Sequence, residues 1–85
     1  MKANSVDWEL MQKTMHEVIG MQEAKLLAFG RKIVPQLTSD DILQPNDFPE
    51  LENDPHFRYE EGVLEGMRTV EMALRASLRE RMTIN

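Results

Sequence analysis

Two groups of side chains in this 85-residue chain are of types that do chemistry. Glu9, His16 and Glu23 recur every seven residues, a spacing that stacks them along one flank of a helix beside Gln12 and Gly20. Two carboxylates and an imidazole can hold a metal ion or run acid–base catalysis. Seven residues span about two turns, roughly 10 Å of rise, so one ion cannot reach all three without ligands from another helix. The Glu-x-x-His spacing of helical di-iron sites is also missing. The second group is Glu60, Glu61 and Glu65, which could bind Mg²⁺ with a phosphorylated ligand, as in helical nucleotide hydrolases. Acids near a helix N-terminus are favoured by the dipole in any case, and Glu65 is spaced to pair with Arg68. No further carboxylate pair follows to complete a two-metal arrangement. No Ser or Thr stands in a nucleophile-elbow or phosphate-loop context. A metal- or nucleotide-dependent helical enzyme built on these six residues is therefore the alternative reading. The leading one is a protein without catalytic residues or cofactor.

Charge narrows the partners. The net charge of -5 repels nucleic acid and anionic membrane alike. The acidity is concentrated: Asp40, Asp41, Asp47, Glu50, Glu52 and Asp54 fall between Ser39 and Asp54 with no Lys or Arg among them. Arg68, Arg75 and Arg79 form a basic ridge, which could meet phosphates or an acidic partner, or be a solvated face on which Glu71 pairs with Arg75. Cysteine is absent, which excludes disulfides and thiolate chemistry and leaves stability to packing. No apolar run is long enough for a signal peptide or a membrane span, so the expected location is the cytoplasm.

The elements that must position these residues are two long helices. The first is expected over about 5–34, starting at Asn4 or Ser5 with Asn4 as N-cap and Asp7 three residues on, and ending ahead of Pro35 with Arg31 and Lys32 in the last turn. Trp8, Met11, Met15, Val18, Ile19, Gln22, Leu26, Phe29 and Ile33 form one stripe along it. The second is expected over about 55–82, opened by Asp54 as N-cap and Pro55 as first helical residue. Its stripe is Val63, Met67, Val70, Leu74 and Leu78, flanked by Leu64. Both helices are roughly 40 Å long at 1.5 Å per residue, so an antiparallel hairpin lays stripe on stripe. The fold class is all-α, a single helical-hairpin domain joined by the acidic, Pro-containing linker 35–54.

One hairpin leaves too much of each helix uncovered. Gly62, Gly66, Thr69, Ala73, Ala76 and Ser77 form a second, small-residue stripe about 110° from the large one. Leu10, Met21, Ala24 and Ala28 form a weaker second face on the first helix. Pairing with another copy into a four-helix bundle, with Gly62, Gly66, Ala73, Ser77, Leu10 and Met21 at the interface, is the simplest closed solution. The two glycines each cost about 1 kcal/mol in a helix interior, which close helix crossing would offset. Thr38 or Ser39 can cap a helical turn ahead of Ile42 and Leu43, and Pro49 can start another. Ile42, Leu43, Phe48 and Leu51 alternate with acids and prolines, either as a docking segment for a basic or grooved partner or to pin the linker onto the hairpin's open end. Taken together the residues point to a non-enzymatic interaction module, an adaptor, regulator or small chaperone. It would act as a homo-oligomeric bundle and meet another protein through the linker or the arginine ridge.

Overall fold

The computed structural model describes residues 3–84, and the side chains of residues 7–45 and 47–81. The chain is all-helical. A long helix α1 (Ala3–Ile33) leads through two 3-10 turns (Asp41–Leu43 and Pro45–Asp47) and a single-turn helix α2 (Pro49–Glu52) to a second long helix, α3 (Pro55–Ile84). The two long helices pack against one another in a hairpin 50 Å long and about 20 Å across. Among the described residues there is no strand, and no helix is long and apolar enough to cross a membrane.

Local chemistry explains the boundaries. Helix α1 already runs at Ala3, so Asn4 lies inside its first turn and is not its cap, contrary to the capping pattern seen in the sequence. At the other end Val34 N still donates to Gly30 O at 2.8 Å, and Pro35 ends the ladder. Arg31 Nε then donates to Leu37 O at 2.8 Å, placing a cation and a donor where the helix leaves carbonyls behind. Helix α3 opens as its sequence implies: Asp54 Oδ1 accepts from Phe57 N at 2.8 Å, with Pro55 supplying the preset φ of the first turn. In the linker Thr38 and Asp41 bond reciprocally, Thr38 N to Asp41 Oδ2 at 2.9 Å and Asp41 N to Thr38 Oγ1 at 3.3 Å.

The core lies at the joined end of the hairpin. Leu26 and Val34 from α1 and its end, Leu37, Ile42 and Leu51 from the linker, and Phe57 and Leu64 from α3 are buried together, with Phe48 packed against them. The linker's 3-10 turns and α2 satisfy its backbone locally and drive three large apolar side chains inward. The end it covers is the joined one, not the open one. Within one chain the close approach falls at neither Gly62 nor Gly66, the glycines expected at an interface between copies. A Cβ added at either would meet nothing within 4 Å, whereas one added at Gly30 would sit 2.5 Å from Leu37 Cδ2 and 3.2 Å from Phe57 Cε1. Gly30 is what lets the Phe57 ring and Leu37 lie against α1.

Candidate functional site

Seen end on, α1 turns Met15, Ile19, Gln22 and Leu26 toward α3, and α3 answers with Phe57, Glu60, Leu64, Met67, Glu71, Leu74 and Leu78. The second series steps by three and four, but its centre lies to one side of the stripe read from the sequence. Val70, assigned to that stripe, is 57% exposed, while Glu60 and Glu71 take positions in the seam.

Those two carboxylates organise the polar contacts between the helices. Gln22 Nε2 donates to Glu60 Oε1 at 2.8 Å and to Glu60 O at 3.0 Å, in a buried position. Lys25 Nζ stands 3.3 Å and His56 Nε2 3.6 Å from the other carboxylate oxygen. The Gln22 amide first, and then Lys25, hold the Glu60 carboxyl below its ordinary value in spite of desolvation. His56 also lies over Phe29, with ring centroids 4.3 Å apart. Two turns away, His16 Nε2 is 2.9 Å from both Glu71 Oε2 and Arg75 Nη2. The ring nitrogen accepts from Arg75 when neutral and donates to Glu71 when protonated. Arg75 Nη2 also reaches Glu71 at 3.3 Å, and Arg68 pairs with Glu23. Among the described residues no buried side-chain nitrogen or oxygen lacks a partner.

The groups named from the sequence are thereby distributed. Glu9, His16 and Glu23 do not converge: His16 and Glu23 each take their own partner on α3, and Glu9 is exposed. Glu60 is committed to Gln22 and Lys25, Glu61 pairs with Arg58 at 3.0 Å, and Glu65 is exposed. Among the described residues no three His, Asp or Glu side chains lie together as a metal site would need. Of the arginine ridge, Arg68 and Arg75 are tied to α1, and Arg79 is exposed beside Trp8 and Gln12. In the linker Ile42 and Leu51 belong to the core, Phe48 is half-buried, and Leu43 stands out at 59% exposure.

What remains is a difference between the two broad sides of the hairpin. On one, the linker's Ser39, Asp40, Ile42 and Leu43 lie along Gly20, Glu23, Ala24 and Leu27 of α1 and beside Arg68 of α3. The charged groups His16, Glu23, Arg68, Glu71 and Arg75 continue this side toward the open end, where Met72 lies exposed among them. The other side is bare of linker, and the Lys25–Glu60 pair lies on it toward the joined end. A groove of about 370 Å³ runs along it between Thr14, Met15, Val18 and Ile19 of α1 and Gly66, Met67 and Val70 of α3. Nothing lining it is charged, and Met11, Val18 and Val70 are between 41% and 57% exposed there. Leu10 and Met21 extend it along the outer flank of α1, and Ala73 and Ser77 along α3, all exposed.

Sequence reasoning missed Phe57, Gly30 and the Gln22–Glu60 pair. A signal existed for the pair: each is a polar residue set in an otherwise apolar seam. No family model matches the chain, and no curated protein or solved structure is similar to it.

Proposed function

We propose that this chain is a non-enzymatic interaction module that works as a homodimer, two hairpins closing a four-helix bundle through the bare side and keeping the ion-paired side and the acidic linker outward for another protein. The uncharged, uncovered groove and its exposed rim carry this reading. Large exposed apolar surfaces are uncommon on proteins that work alone, and the groove itself has no charged lining to be stripped of water. The outward side is already internally neutralised by its ion pairs, so it costs little to leave in water. Leu43, exposed within the acidic linker, is the apolar anchor the linker offers to a basic partner.

Solution mass tests the reading. Val70→Glu places a charge in the groove and is expected to halve the mass measured by light scattering, with helix content unchanged. Met72→Glu, on the ion-paired side, is expected to leave the mass as it was. A wild-type chain that is monomeric at high micromolar concentration, or a Met72→Glu variant that dissociates while Val70→Glu does not, rejects it.

A further inference from the structure

The bare side has a size and a texture that specify how a second copy sits on it. From Tyr59 to Ser77 the exposed series on α3 contains no charge and runs about 27 Å. Across the hairpin's 20 Å width this gives a footprint on the order of 500 Å² in projection, and more as ridged accessible surface. Stable dimers bury about 600–1,000 Å² per partner, so the side is of dimer size without help from the linker. A second copy brings an equally apolar groove, and Lys25, seven residues on from Val18 and so on the same flank, stands at the joined-end edge of the footprint already paired with Glu60.

The two helices contribute unequal relief. On α1 the side carries Met11, Val18 and Met21; on α3, Gly66, Ala73 and Ser77 leave a shallow track interrupted by Val70, with Tyr59 projecting at its joined-end limit. Laying α1 on the partner's α1 would set ridge on ridge and leave track facing track, two helix separations that a rigid pair of hairpins cannot satisfy together. Laying α1 on the partner's α3 sets ridge in track at both contacts, with one common separation. Resting on the self-association proposed above, we infer that the dimer pairs α1 of each copy with α3 of the other about a two-fold axis parallel to the helices, bringing both joined ends to the same end of the bundle.

That arrangement gathers two acidic linkers at one pole. Residues 39–43 of each lie on the side turned away from the interface, so more than one hairpin thickness of 19 Å separates these two stretches. This exceeds the Debye length of about 8 Å at physiological salt, and repulsion between them is largely screened. The bundle then has one acidic pole with two docking segments and one pole without.

The absence of cysteine makes the test direct, since one introduced thiol is the only thiol. Val18 and Val70 line the same groove at the same height, so the parallel two-fold carries Val18 of one copy over Val70 of the other. Chains bearing Val18→Cys and chains bearing Val70→Cys are mixed, allowed to exchange and oxidised. The expected product is the mixed disulfide, in roughly ten-fold excess over either homodimeric one, because a disulfide needs Cβ atoms about 4 Å apart. Thr14→Cys mixed with Ala73→Cys repeats the test one turn along the helices if the first pair disturbs folding. Homodimeric disulfides as the main product overturn the pairing, and so does a dimeric mass with no cross-link of either kind. A monomeric mass for the wild-type chain instead overturns self-association itself.

Discussion

On one side of the hairpin Glu23 reaches Arg68, and His16 and Arg75 gather on Glu71; on the other, Val18 faces Val70 across a groove with no charge on its walls. Both sides belong to the same two helices, and the difference follows from which residues flank the seam. Exposed ion pairs lose little by staying in water, so the first side is complete as it stands. Apolar side chains gain roughly 25 cal/mol per Å² when water is removed, so covering the second would add stability. The lesson is that this small chain divides its apolar side chains between a core under the linker and an exposed surface along the opposite side.

The sharpest way to separate core from surface is to cut into each. Phe57 is fully buried beneath the linker, and Phe57→Ala is expected to cost about 3–5 kcal/mol, most of the stability of a domain this size. Thermal melting should show the loss at any protein concentration. A variant melting near wild type would mean that the joined end is not the core.

The glycines give the same contrast at smaller magnitude and with opposite signs. Gly30→Ala drives a methyl into Leu37 and Phe57, and the strain of about 1–3 kcal/mol outweighs the helix propensity gained, so chemical denaturation should find the variant less stable. Gly62→Ala meets open space and is expected to stabilise by about 0.5–1 kcal/mol. If both variants move the same way, Gly30 is not where the linker approaches α1.

Next comes the acid limb of the stability profile. Glu60 is held below its ordinary value in the folded chain, chiefly by the Gln22 amide, so between the two values the unfolded chain binds more protons than the folded one. Stability from this group is present in full above the ordinary carboxylate value of about 4.3 and is lost as pH falls through the lowered one. Glu60→Gln should flatten that limb in melts taken from neutral pH downward. An unchanged slope would show that the Gln22–Glu60 pair does not hold the carboxyl down. The smallest effect is expected on the ion-paired side: Arg75→Ala should cost about 0–1 kcal/mol, and less at high salt, by the same denaturation measurement.

Much of the architecture was legible because it is written in short-range chemistry. Asp54 before Pro55 marks a helix start wherever it occurs, Pro35 ends one, and the three-and-four spacing of Leu26, Leu64 and their neighbours needs only the helix to be meaningful. The candidate site was legible in part. An uncovered apolar face could be inferred from the girth of each helix, and Leu10, Met21, Ala73 and Ser77 are exposed. The seam was misplaced toward Val70 because hydropathy alone centres a stripe on its greasiest residues. Glu60 and Glu71 shift the true centre only when Gln22, Lys25, His16 and Arg75 are at hand to satisfy them.

The order of residues by itself determined two helices, the ends that meet the linker, the acidity of the segment between them and the excess of apolar girth, since each depends on neighbours no more than a turn or two away. Tertiary structure alone decided that Ile42 and Leu51 turn inward, that Gly30 lies against Leu37 and Phe57, and that Glu23 and Glu71 meet Arg68 and Arg75 on one side while Glu60 meets Lys25 on the other. These outcomes depend on the rotation of one helix about its axis relative to the other and on the path of the linker. Both are settled by contacts between residues as far apart as Gln22 and Glu60, a separation at which local propensity carries no information.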